Sequence, residues 1–191
     1  MGCFFFVILQ SKTITIMKNY LLLLLIAVFT FSCETAAPEC DDNPAAGYLA
    51  TADGKTDARD AGPANLDIID KYLDAHNAAD VEAIFEMEAD STKQFGQFFV
   101  YGPKGEFLQS RETHKEFLEG WFDSNNPQWN TFFSYSMKVD GQVGEWVITG
   151  HTLTQNVEGV EVTTYDVADF YIEDGKVGGF WVYSRASTPA E

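Results

Sequence analysis

The feature that most constrains this chain is the long alternating run from Thr131 to Arg185, interrupted at Asp140-Gly141, Glu158-Gly159 and Asp174-Gly175. Such pairs accept the left-handed backbone of a tight hairpin turn. The run therefore divides into four strands, expected at 131–139, 143–156, 160–172 and 176–185. Strands joined by tight turns pair as an antiparallel meander. Successive side chains point to opposite faces. In the third strand, Val160, Val162, Thr164, Asp166, Ala168, Phe170 and Ile172 form the more apolar set and are expected to face inward. Asp166 then points into the protein and Asp169 out of it.

Three helices are expected ahead of the meander. Leu66, Ile69, Tyr72, Leu73 and His76 recur at helical spacing, with Asn65 as N-cap. Asp80 caps a short helix from Val81 to Met87. A third helix follows Ser110 and carries His114, Phe117, Leu118 and Trp121 on one stripe. Between the last two, "STKQFGQFFVYG" reads as an extended aromatic stretch. Helices followed by a long meander define an α+β protein, with helices packed on one face of a curved sheet. That arrangement leaves a pocket between the first helix and the sheet. Its expected ligand-binding residues are Tyr72, His76, Trp121, Trp146, His151, Asp166 and Phe170.

The N-terminal region carries an address. Residues 1–32 hold no acidic residue and two lysines, Lys12 and Lys18. From Lys18, a positive start leads into the apolar run Tyr20–Phe31 and then Ser32-Cys33, the anatomy of a secretory signal with Met17 as its natural start. A membrane-spanning helix needs ~20 apolar residues, so this run is short for one. "TFSC" resembles the lipobox of bacterial lipoproteins, with Thr30 where Leu is usual, and makes Cys33 the expected site of lipid attachment. Residues 33–63 are rich in Ala, Asp, Pro, Gly and Thr and read as a flexible tether. The folded domain is expected over 64–187, with 188–191 as a tail.

Cleavage before Cys33 retains ten of the twelve basic residues and all twenty-nine acidic ones, a net charge of −19. Such a surface disfavours nucleic acid and anionic lipid as partners. With Cys33 lipidated, Cys40 has no intrachain partner, which excludes a disulfide framework. The three histidines, His76, His114 and His151, show no HxH or HxxxH spacing, and no metal is expected. No glycine-rich phosphate loop or GxSxG motif appears, and no cofactor is expected.

"KYLDAHNAADVEAIFEM", "GEFLQSRETHKEFLEGWF", "ITGHTLT" and "IEDGKVGGFWVYSR", in this order, resemble the nuclear transport factor 2-like superfamily, particularly its SnoaL-like branch. The resemblance covers Ala64 to about Ser187. It implies a cone-shaped α+β fold with a deep apolar pocket, and frequent homodimers. Here the outward face with Tyr165, Val167 and Tyr171 would pair. The superfamily hosts isomerases, cyclases, dehydratases, hydrolases and binding proteins, so the fold alone does not name an activity. Tyr72 matches the ketosteroid isomerase tyrosine that polarises the substrate oxygen. The extended "FFVYGP" has no counterpart of that enzyme's proton-shuttling carboxylate. The catalytic Asp position of the isomerase and cyclase groups falls on Ala168.

Asp166, two residues away on the same face, therefore has three readings. It is a displaced catalytic acid or base, a group that orients a ligand, or a structural acceptor for a Tyr or Trp donor. The first expectation for the whole chain is an envelope lipoprotein, anchored to a bacterial membrane, that binds a small, largely apolar molecule. The alternatives are a SnoaL-like isomerase, dehydratase or cyclase using Asp166 with Tyr72 or His151, and an interaction domain acting through its dimeric sheet face. Lipid attachment has a direct check: detergent-phase partitioning of the wild type should disappear in Cys33→Ala. Equal partitioning of both forms would remove the anchor.

Overall fold

The computed structural model describes residues 42–186. The signal region 1–32, Cys33, Cys40 and the tail 188–191 lie outside the described residues. Among the described residues, three helices and a large curved sheet give the expected α+β architecture. Helix α1 spans Ala64–Asn77 and turns Ile69, Tyr72, Leu73 and His76 inward. Its N-terminus has no side-chain cap. Asn65, expected there, instead donates to Glu145 Oε2 at 2.6 Å. Asp80 caps α2 (Val81–Met87), accepting from the Ala83 amide at 3.0 Å. Helix α3 (Arg111–Asn125) begins where Ser110 Oγ accepts from the Thr113 amide, and stops at left-handed Asn126.

The four strands of the meander are β7 (Gln128–Val139), β8 (Glu145–Val157), β9 (Val160–Glu173) and β10 (Lys176–Ala186). Both residues of the Glu158-Gly159 and Asp174-Gly175 turns have positive φ, the twist that matches a two-residue hairpin. Short strands β5 (Phe99–Tyr101) and β6 (Phe107–Gln109) extend the sheet beyond β10, with β5 parallel to β10 and every other pair antiparallel. Strands β3 (Ser91–Thr92) and β4 (Gly96–Gln97) form a separate small hairpin.

The expected tether needs correction. Residues 47–60 form a hairpin, β1 (Gly47–Thr51) and β2 (Gly54–Asp60), and β2 pairs with β7. This hairpin belongs to the same compact unit as the helices and sheet. Every residue of β1 is exposed, and only Ala58 of β2 is buried. Backbone ladder bonds hold it, together with Arg59, which donates to the Asn43 carbonyl at 2.6 Å and reaches Asp140 at 3.3 Å. Apolar patterning could not reveal strands that bury so little. The one local sign was Asp53-Gly54, where Gly54 has a φ of 128°.

Register separates the two faces of the sheet. β8 and β9 pair without interruption from Glu145↔Ile172 to Val157↔Val160, so no bulge disturbs the alternation around Asp166. The inner face packs Val147, Ala168, Phe170 and Phe180 against Ile69, Tyr72, Leu73, Ile84 and Leu118 of the helices. The outer face carries the rows Phe133↔Gly150↔Val167↔Tyr183 and Tyr135↔Ile148↔Asp169↔Trp181. Gly150 leaves room for the Phe133 ring, which would stand 2.0 Å from an added Cβ.

Candidate functional site

The polar groups of the interior gather at two ends. At the closed end stands Glu88, the residue that terminates α2, with 2% of its surface exposed. Its Oε1 accepts from the Tyr72 hydroxyl and from His114 Nδ1, each at 2.6 Å. A buried carboxylate needs such partners because desolvation without them costs several kcal/mol. Burial, followed by the charge and hydrogen bond of Glu88, drives the Tyr72 hydroxyl well above its ordinary pKa. Tyr72 is thereby fixed as a donor and is no candidate base. His76 donates from Nδ1 to the Tyr72 carbonyl at 2.7 Å, between the rings of Tyr72 and Trp129. Burial pushes its pKa down to about 3, and the neighbouring charges of His114 and His151 act in the same direction.

The open end lies further along β8, β9 and β10. Asp166 is inward and 3% exposed, directly opposite His151 in register. On its other side Ser184 of β10 donates to Asp166 Oδ1 at 2.5 Å. Thr149 Oγ1 lies 3.3 Å from His151 Nδ1. No ion pair joins His151 to Asp166 within 4.0 Å, although the carboxylate raises the imidazole's proton affinity; burial outweighs it and lowers the His151 pKa. The Ser134 and Thr164 hydroxyls on the same inner face are buried without protein partners. At the rim, Ser184 and Val162 reach solvent, and Trp121 donates from Nε1 to Gln155 at 3.0 Å.

The sequence-derived set is thus distributed unevenly. His151 and Asp166 are neighbours at the open end, and Trp121 is half-buried at its rim. Tyr72, His76 and Phe170 lie in the packed core, where Tyr72 meets Phe170 edge-on at 5.9 Å. The space expected between the first helix and the sheet is filled by these side chains. Trp146 needs correction: its partners in register are Met137 and Tyr171, so it belongs to the outer face. It packs there with Tyr171, Ala58 and Val139. Asp169 faces outward as expected, but it is half-buried, and desolvation raises its carboxyl pKa.

Glu88 was missed. In "FEMEAD" it resembles any solvated acid, and only the fold brings Tyr72 and His114 to it. A surface cleft of about 340 Å³ lies against Glu88, lined also by Asp90, Arg111, Glu173, Asp174 and Lys176, and does not touch His151 or Asp166. Its cations are engaged, Arg111 with Asp90 at 2.5 Å and Lys176 with the Glu86 carbonyl. Among the described residues, no three histidine, cysteine or carboxylate side chains gather as a metal site.

No protein-family model matches the chain, and neither does any curated protein. Solved structures do. A Mycobacterium tuberculosis LEH-like epoxide hydrolase aligns with a TM-score of 0.53 at 12% identity, over 64% of this chain and 83% of its own. SalBIII, an epoxide hydrolase/cyclase-like enzyme of pyran ring formation in salinomycin, aligns with a TM-score of 0.52 at 16% identity, over 63% and 89%. A putative ketosteroid isomerase from Kribbella flavida aligns with a TM-score of 0.50 at 13% identity, over 69% and 85%. At these identities the likeness establishes the fold. The chain has the ketosteroid isomerase-like fold, of cystatin type.

The buried histidines set the sign of an acid response. His76 takes a proton near 6.5 when unfolded and near 3 when folded, so its contribution to stability is present above about pH 6.5 and is lost as pH falls toward 3. His151 acts in the same direction. Urea unfolding should show stability falling below about pH 6.5, with a slope of up to ~1.4 kcal/mol per pH unit for each such histidine. His76→Gln should flatten the slope. A wild-type stability that rises on acidification over this range would contradict the assignment.

Proposed function

We propose that this chain is an exported, lipid-anchored protein that binds a small, largely apolar molecule at the open end of its concave sheet face. One observation carries the reading. His151 and Asp166 face each other across β8 and β9, beside two buried hydroxyls without protein partners, where the inner face passes from packed core to solvent. Buried polar groups ordinarily have hydrogen-bond partners, so a wall of this kind suits a ligand with an apolar body and a polar end. Trp121 and Trp129, whose rings meet edge-on at 5.4 Å, supply aromatic surface nearby.

A second reading, catalysis, is favoured by the placement of a carboxylate beside an imidazole and by the epoxide hydrolase-like and cyclase-like character of the structural neighbours. Asp166 would work there with His151. Tyr72 is withdrawn from that role because its hydroxyl is committed to Glu88, and Ala168 occupies the position of the family's catalytic Asp.

The outer face supports a proposal about assembly. Phe132, Phe133, Tyr135, Tyr165 and Tyr183 are exposed there, and the two central rows contain a single carboxylate, Asp169. In so acidic a chain, an apolar face of this kind suits a second copy. Tyr171, expected in such a contact, is buried beneath Phe95, whose ring centroid lies 4.8 Å away, and takes no part.

Two measurements check these proposals. Titration with the neutral apolar probe N-phenyl-1-naphthylamine should give saturable binding that Ser184→Trp blocks at the rim. Non-saturable binding, or binding indifferent to Ser184→Trp, would count against the site. For assembly, sedimentation of the chain at tens of micromolar should give a dimer mass that Phe133→Asp reduces to a monomer. A monomeric wild type would end the proposal.

A further inference from the structure

Three adjacent rows of side chains cross the outer face of the sheet. One holds Asp169 beside Trp181, the next Val167 beside Tyr183, and the third Tyr165 beside Arg185. Across β7 to β10, Asp169 is the only acid in these rows and Arg185 the only base. Asp169 is half-buried, and desolvation alone acts on its carboxyl, with no hydrogen bond or neighbouring cation to hold the charge. Arg185 is exposed, with its guanidinium 4.5 Å above the Tyr165 ring and no ion pair among the described residues. The two do not meet within one copy. Asp169 pairs with Trp181, and Arg185 lies four residues further along β10, about 13 Å away at the rise of a strand.

We infer that a second copy of this chain docks on this face about a two-fold axis along the Val167–Tyr183 row, so that Asp169 of each copy meets Arg185 of the other. The inference rests on the assembly proposed above and adds its register and its charge pairing. A two-fold axis in the plane of the face turns one sheet over onto the other and reverses its strands. The row on one side of the axis then lies over the row on the other side. Asp169 comes to stand over Tyr165 of the second copy, with Arg185 of that copy one strand to the side. Face-packed sheets stand ~10 Å apart, a gap that the long arginine stem bridges. The pair forms twice, once on each side of the axis. It supplies the countercharge that Asp169 lacks in one copy, in a chain whose net charge of −17 otherwise sets two copies against each other. An axis along β9 would instead set the two Asp169 carboxylates together.

Charge reversal separates contacts between copies from effects within one. Asp169→Lys and Arg185→Asp each make both pairs of the dimer repulsive. Each should raise the dimer dissociation constant at least ~10-fold in sedimentation of the full chain. Mixed in equal amounts, the two variants should form a heterodimer within about threefold of wild-type affinity, since each then carries the charge the other needs. Reversal without effect, or weakened variants that do not recover on mixing, would overturn the ion pair while leaving dimerisation in place. A monomeric wild type would remove both the pair and the assembly beneath it. Should either reversed variant not fold, Arg185→Lys keeps the charge and supplies an amine. A zero-length carbodiimide should then join position 185 of one copy to Asp169 of the other, and a dimer without that link would overturn the pairing.

Discussion

The Glu88 carboxylate is the joint on which the rest of the interior depends. Its side chain receives Tyr72 from α1 and His114 from α3, and its own residue ends α2. The backbone at Glu88 bridges Val177 at the start of β10, and the next amide, of Ala89, donates to the Val177 carbonyl at 2.9 Å. Arg111 adds contacts to the Phe85 and Glu88 carbonyls at 3.3 and 3.4 Å while its guanidinium lies over the Phe85 ring. A single buried acid therefore fixes three helices relative to one another and to the sheet. The two donors on Oε1 hold the arrangement, because a buried polar group stripped of a partner is costly to leave unsatisfied.

This joint also decides where function can reside. Tyr72, Phe170, Phe180 and His114 fill the interior beside it, and on its other side Glu88 lines the surface cleft with Arg111 and Lys176. The buried hydroxyls without protein partners, of Ser134 and Thr164, lie on β7 and β9, away from Glu88. His76 lies between the two, its charge disfavoured by His114 on one side and His151 on the other. The outer face is a third, separate surface. It is covered by Phe95 over Tyr171 and Trp146 and left open from Phe133 to Tyr183.

Much of this was legible in the sequence, for identifiable reasons. The four long strands appear because tight-turn chemistry and two-residue alternation agree, and the inward course of Asp166 follows from that alternation alone. The same rule already separates Trp146 from Asp166 once the β8–β9 register is counted across the Glu158-Gly159 turn; treating an aromatic residue as pocket lining overrode it. Hairpin β1–β2 was illegible because ladder hydrogen bonds hold it with almost no buried side chain. Glu88 was illegible for a different reason. Its role is created by two donors, 16 residues before it and 26 after it, and no local pattern encodes their convergence.

The most direct test of Glu88 as the joint is a double-mutant cycle between Tyr72→Phe and His114→Phe, read by urea unfolding at pH 7. Both side chains act on the same Oε1 from different helices. The account predicts a coupling of at least ~1 kcal/mol, because the second substitution strips the last strong donor from a carboxylate the first has already weakened. Costs that add within about 0.5 kcal/mol would mean that the two helices are held independently, and the central role given to Glu88 would be wrong.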